Sequence, residues 1–229
     1  MGKTKIEWAT HTWNPITGCS RVSPGCIHCY AERQAKRFAG RFGYPKDDPF
    51  KVTFHPDKLE QPVRWKKPRR IFVCSMGDLY HPDVTPQMLE SVFSVMTYAK
   101  QHTYMILTKR PERVRLPKGF DKLFPHIWIG VTAENQEQWD KRVPILRKIK
   151  AAVRFVSVEP MLEEIDADVD GLDWVICGGE NGAGARFFHI HWAQILRDDC
   201  YMEDVPFFYK PQRGLRIPIG LDIQQTPRV

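Results

Sequence analysis

Residues 127–135 read Ile-Trp-Ile-Gly-Val-Thr-Ala-Glu-Asn. Five residues without a charged or hydrogen-bonding aliphatic side chain run straight into Thr132, Glu134 and Asn135. An apolar run without alternation suits a strand buried on both faces, as in a parallel sheet. The same pattern recurs along the chain. Ile71–Cys74, Tyr104–Thr108, Val153–Val158, Trp174–Cys177 and Val205–Tyr209 are β-rich apolar runs. Shorter strands are predicted near Val52–Phe54 and Thr12–Trp13.

Longer amphipathic stretches lie between these runs. Residues 30–42 carry apolar side chains at helical spacing with basic ones elsewhere. Thr85 and Pro86 open a helix towards residue 100, as N-cap and first helical residue. Residues 135–150 and 189–203 complete the set. Alternating strand and helix predicts an α/β fold with right-handed crossovers. A count near eight strands favours a partial or complete (β/α)8 TIM-type barrel, with a doubly wound sheet as the alternative. The 229 residues suit one domain, with a cysteine loop at 19–29 and a C-terminal tail at 213–229.

In a barrel, chemistry collects where strands end. Here those ends are polar: Ser75–Asp78, Thr108–Arg110, Thr132–Asn135, Ser157–Pro160, Gly178–Asn181 and Lys210.

Composition narrows the function classes. Hydrophobic residues make up 42% and charged residues 27%, and no apolar run could span a bilayer. The N-terminal stretch lacks the apolar core of a secretory signal, so the expected location is the cytoplasm, where thiols stay reduced. The six cysteines then read as ligands or core residues. A net charge of +7 favours acidic partners, nucleic acid first. Basic residues cluster at 64–70, around Trp65, and at 109–115.

Cys19, Cys26 and Cys29 stand within eleven positions, with Pro24–Gly25 supplying a tight turn between them. Thiolates bind zinc or iron–sulfur clusters. Zinc would need a fourth ligand, from His28 or from Cys74, His81 or Cys177. An iron–sulfur cube held by three cysteines would instead leave one iron open to a small molecule. Cys74, Cys177 and Cys200 read as small buried hydrophobes. Trp8 and Trp13 are expected beneath the cysteine loop.

The three-cysteine loop, after a first strand and before a helix, resembles that of radical S-adenosylmethionine (SAM) enzymes. The spacing departs from the usual one, with six residues and then two instead of three and two. His28 stands where an aromatic residue is usual, and Tyr30 follows the last cysteine. The whole chain resembles phage and prophage three-cysteine-motif proteins, placed beside radical SAM enzymes. "IEWATHTWNPITGC", "VSPGCIHCYAER", "RRIFVCSMGDLYH", "ILTKRPER", "WIGVTAENQ", "FVSVEPM", "ICGGENGAGAR" and "PFFYK" carry the likeness.

That resemblance implies a 4Fe–4S cluster on Cys19, Cys26 and Cys29, with SAM on the open iron. SAM would be reduced by an electron donor such as flavodoxin or ferredoxin, giving methionine and a 5′-deoxyadenosyl radical. Residues expected around the cofactor are His28, Tyr30, Ser75, Asp78, Thr108, Lys109, Thr132, Glu134 and Ser157. Glu159, Glu180 and Lys210 are expected to face the substrate, with Arg186. The Gly-Gly-Glu stretch at 178–180 follows a late strand, so the amino-group-binding role of such a stretch in related enzymes is not transferred to it. The implied setting is a phage or prophage protein in the bacterial host.

The first functional expectation is an enzyme acting on a nucleobase in phage DNA, such as one rearranging an amino-acid adduct on thymine. It would flip the base or use single strands. Alternatives are a radical SAM enzyme on a peptide or small metabolite, a cluster-bearing DNA repair lyase, and a non-enzymatic zinc-binding accessory protein.

Overall fold

The structure is a computed structural model and describes residues 3–116, 118–182, 184–212 and 216–227. Residues 213–215 and 228–229 of the expected tail lie outside the described residues. Nine strands are described: β1 His11–Trp13, β2 Ile16–Thr17, β3 Thr53–Phe54, β4 Arg70–Val73, β5 Thr103–Thr108, β6 Ile127–Thr132, β7 Arg154–Val158, β8 Trp174–Gly178 and β9 Phe207–Lys210. The α-helices are α1 Tyr30–Arg37, α2 Pro86–Tyr98, α3 Phe120–Leu123, α4 Gln136–Lys148 and α5 Ile190–Met202. No helix among the described residues is long and apolar enough to cross a membrane.

Seven strands form one sheet in the order β1-β4-β5-β6-β7-β8-β9, and every neighbouring pair is parallel. A doubly wound sheet would reverse its order at a switch point. This one never does, so it is a singly wound, open half-barrel. The expected strand at Val52–Phe54 exists as β3, but it leaves the barrel to pair antiparallel with β2. That two-stranded ribbon pins the base of the long excursion carrying the cysteine loop and α1.

The helix signals act as the local chemistry requires. Thr85 accepts a hydrogen bond from the Met88 amide, with Pro86 at the first helical position. Asn135 caps α4 through the Gln138 amide. α1 stops at Arg37, earlier than the predicted residue 42, and Gly40 and Gly43 follow it with positive φ.

Side-chain alternation divides the sheet into two faces. Ile71, Tyr104, Ile106, Ile127, Ile129 and Val131 pack outward against Val92, Met96, Val143 and Leu196 of the helices. Phe72, Met105, Trp128, Phe155, Trp174 and Phe208 point to the concave side. Trp174 is fully buried there, with the rings of Trp8, Trp128, Phe155 and Phe208 between 5.7 and 6.4 Å away. Gly130 makes this possible, because a Cβ there would stand 2.5 Å from the Phe155 ring. The half-barrel is therefore plugged with aromatic side chains on its concave side.

The two early tryptophans part company. Trp8 packs against Phe72 with ring centroids 4.7 Å apart and planes tilted by 50° in the concave plug. Trp13 lies in the outer core against Tyr104 and donates to the Lys58 carbonyl at 2.8 Å. Trp8 thus borders the cavity that the three cysteines line, as expected, whereas Trp13 does not.

Candidate active site

A cavity of about 350 Å³ opens at the C-terminal ends of the strands. Cys19, Cys26 and Cys29 line it, and Trp8, Phe72 and Leu107 give it an apolar wall. His28, Tyr30, Ser75, Asp78, Thr108 and Lys109 also border it. So do Thr132, Ser157, Glu159, Glu180 and Lys210. Glu134 and Arg186 are the predicted site residues that do not: Glu134 is fully buried behind the cysteine loop, and Arg186 lies outside the lining.

Backbone contact docks the cysteine loop. The Gly18 amide donates to the Met76 carbonyl, and Cys19 to that of Phe50. Gly18 has φ +89°, and a Cβ there would meet the Lys51 carbonyl oxygen at 2.2 Å. A Cβ on Gly77 would stand 2.8 Å from the Gly18 oxygen. Both positions therefore need glycine. Asn14 Oδ1 accepts from Ser75 Oγ at 3.2 Å and from the Met76 amide at 2.9 Å. Tyr30 closes the same corner by donating its hydroxyl to the Ser75 carbonyl.

Asp78 organises the next wall. Its Oδ1 accepts from Thr108 Oγ1 at 2.8 Å, and its Oδ2 from Arg110 at 2.9 Å. Arg110 also donates to Cys19 Sγ at 3.4 Å and to Ser20 Oγ at 3.0 Å. Burial, and then the Asp78 carboxylate, push the Cys19 thiol up, while Arg110 opposes them. Arg110 was not among the expected site residues. It sits in a basic run that reads as surface, yet it is only 4% exposed.

Two carboxylates clamp the loop from the far side. Glu134 Oε1 accepts from the Gly25 amide at 3.0 Å, and its Oε2 from buried Arg142 at 2.9 Å. A Cβ on Gly25 would stand 2.9 Å from the Glu134 carboxyl carbon. Burial pushes the Glu134 carboxyl up, but Lys109, Arg142 and the loop's donors outweigh it and hold it low. Glu180 accepts from His28 Nδ1 at 2.8 Å and from Arg186 through both oxygens. Burial opposes ionisation there too, yet donation from Arg186 and His28 brings Glu180 to about 2. Arg186 reaches on to the Pro24 carbonyl at 3.0 Å. Glu180 and Arg186 thus hold the cysteine loop and each other, and neither presents a side chain unengaged towards a substrate.

Other wall groups remain available. Thr132 and Ser157 are register partners on β6 and β7, and their hydroxyls make no side-chain hydrogen bond among the described residues. Glu159 forms an ion pair with Lys210 across the mouth, joining β7 to β9.

The six cysteines divide by position. Cys19, Cys26 and Cys29 are half-buried free thiols on the cavity, and Cys74, Cys177 and Cys200 are buried. Burial pushes the Cys74 thiol up to about 12, and those of Cys177 and Cys200 up as well. None of these three borders the cavity. His81 is engaged by Ser20 through Nε2 and by the Asp83 amide through Nδ1. No three His, Cys, Asp or Glu side chains among the described residues converge as a single-ion site requires.

The two basic clusters occupy opposite ends of the sheet. Residues 64–70 lead into the start of β4, whereas 109–115 follow the end of β5. Arg110 is buried and Arg113 donates to the Tyr80 carbonyl. They do not form one continuous surface.

Solved structures of spore photoproduct lyase share this architecture. One variant superposes with a TM-score of 0.56 at 11% identity, over 91% of this chain and 78% of that one. A cysteine variant gives 0.56 at 12% identity, over 93% and 79%. The enzyme complexed with dinucleoside spore photoproduct gives 0.50 at 12% identity, over 90% and 65%. At such identities the likeness is one of fold, an open half-barrel of parallel strands. No curated protein matches the sequence. Residues 3–220 match the family described as Protein of unknown function (DUF5131), and the chain belongs to that family.

Proposed function

We propose that this protein is a radical SAM enzyme acting on a nucleobase in DNA. The observation that carries the proposal is the presentation of three free thiols, and no fourth cysteine, to one cavity at the strand ends. This donor set fits a 4Fe–4S cluster with one open iron better than a closed zinc site. Zinc would need a fourth close ligand, and His28 and His81 are both engaged elsewhere.

Cys19, Cys26 and Cys29 would hold the cluster. Bound there with SAM, it would supply one-electron cleavage to methionine and a 5′-deoxyadenosyl radical able to take hydrogen from an unactivated carbon. The protein's own contribution is orientation and seclusion. Arg110, Glu134, Glu180 and Arg186 fix the loop. Thr132 and Ser157 offer hydroxyls to a ribose, and Lys109 a cation to a carboxylate. Trp8, Phe72 and Leu107 supply an apolar wall for a base and exclude water. Lys210 Nζ and Glu159 form a proton-holding pair on the substrate side.

DNA as the substrate draws support from the net charge of +7 and from fold likeness to a lyase solved with a dinucleoside photoproduct. A phage or prophage setting in the bacterial cytoplasm, with base hypermodification as the reaction, completes the proposal. The test is anaerobic purification with iron and sulfide analysis, then reduction with SAM, with and without DNA. Iron, sulfide and 5′-deoxyadenosine are expected, and DNA should stimulate turnover. A colourless protein holding stoichiometric zinc would overturn the proposal. DNA-independent turnover, together with absent DNA binding, would move it to a peptide or metabolite substrate.

A further inference from the structure

At the opposite end of the sheet, Lys3, His11, Trp65 and Arg69 line a second, shallower cavity of about 380 Å³. His11 opens β1 and Arg70 opens β4, so this is the N-terminal pole of the strands. The six residues of β5, at about 3.3 Å each, put it roughly 20 Å from the cysteine cavity. The Arg69 guanidinium lies over the Trp65 ring at 4.6 Å, and the His11 ring is 5.2 Å from the same indole. Stacking fixes the guanidinium plane and leaves its N–H edge for an oxyanion.

The charge here is one-sided. Residues 61–73 hold five Lys or Arg and no Asp or Glu. Lys66 and Lys67 are exposed, and Arg64 is paired with Glu60. No carboxylate pairs with Lys3 or Arg69 among the described residues. Like charges gathered without a counter-charge repel one another, and a polyanion relieves that repulsion.

Building on the nucleic-acid reading above, we propose that this pole is a second, non-catalytic site that binds single-stranded nucleic acid through its phosphates and one stacked base. Cations beside an aromatic platform suit a phosphate backbone with unstacked bases. An acidic peptide would use the charge but not the indole–imidazole surface. The site anchors a strand whose target base lies in the cysteine cavity. A strand must therefore be several nucleotides long to touch both, and affinity should rise with length until it bridges them.

Fluorescence anisotropy with a labelled single-stranded 20-mer and a dinucleotide, at two salt concentrations, tests this on the purified full chain. Lys3→Glu/Arg69→Glu and Lys66→Glu/Lys67→Glu should each weaken 20-mer binding about tenfold or more and flatten its salt dependence. They should leave dinucleotide binding, bound iron and DNA-independent SAM cleavage unchanged. Adding the 20-mer should quench tryptophan emission in wild type. Unchanged 20-mer affinity in both variants overturns the second site while leaving the proposed function standing. Equal competition by polyglutamate assigns the surface to an acidic protein and also overturns it. Failure of the wild type to bind any DNA removes this site and the DNA substrate together, but not the cluster.

Discussion

One guanidinium nitrogen of Arg110 stands 2.9 Å from Asp78 Oδ2 and 3.4 Å from Cys19 Sγ. The pair Arg110–Asp78 is almost wholly buried, with side-chain exposures of 5% and 7%. Breaking a buried pair leaves one charge uncompensated, at a cost of about 3–5 kcal/mol. Arg110→Gln should therefore lower the melting temperature clearly and reduce bound iron. Arg110→Lys keeps the charge but loses the fork to Ser20. It should recover much of the stability and little of the iron. Thermal melts beside iron analysis decide this; full iron loading in both variants would show that the guanidinium does not position Cys19.

Gly25 offers a cleaner separation of fold from loop. Its φ is not left-handed; what requires glycine is the Glu134 carboxylate close behind it. Gly25→Ala should push the Cys26 turn away from its support. Bound iron should fall several-fold while the unfolding free energy falls by less than about 2 kcal/mol, because the loop lies outside the barrel core. A similar iron loss from a remote surface glycine such as Gly171→Ala would show the effect to be general.

The barrel was legible in sequence because parallel strands buried on both faces leave uninterrupted apolar runs. Ile71, Tyr104, Ile127, Val153, Trp174 and Phe207 all lie in or beside their predicted strands. The partner of Val52–Phe54 was not legible, since two paired residues carry no pattern that tells a ribbon from a barrel edge. The polar strand ends reported which groups would meet at the cavity. They could not report which were already engaged. Arg110 reads as surface because its partner Asp78 is 32 residues upstream, and Arg186 reaches Pro24 across 162 residues. Glu134 follows a strand like its neighbours, but Arg142, two turns along α4, draws its carboxylate inward.

His55 predicts an acid-sensitive limb in stability. It is buried in the ribbon beside Thr17 at 2.8 Å, and burial, then Lys58, bring its pKa down to about 4. The folded state thus favours the neutral ring. Between pH 6.5 and about 4 the unfolded chain binds more protons, so stability is full above that window and falls as pH drops through it. The loss is on the order of 3 kcal/mol, from about 1.4 kcal/mol per pKa unit. Denaturant melts across this range should show it, and His55→Gln should flatten the slope. An unchanged slope in the variant would assign the acid limb to other groups.

Thiol chemistry separates the two cysteine sets without any need for turnover. In cluster-free, reduced protein, Cys19, Cys26 and Cys29 are half-buried at the cavity, whereas Cys74, Cys177 and Cys200 are buried and held protonated. The thiolate is the reactive form, so exposure and acidity act in the same direction. Three of the six thiols should react with iodoacetamide under native conditions, with Cys19 the slowest because burial raises its pKa. Reconstitution with iron and sulfide should protect those three together. Single Ala variants at Cys19, Cys26 or Cys29 should lose that protection, and Cys200→Ala should keep it. Mass-spectrometric mapping reads each site separately, and modification of all six at similar rates would mean that the buried set is not held inside the folded core.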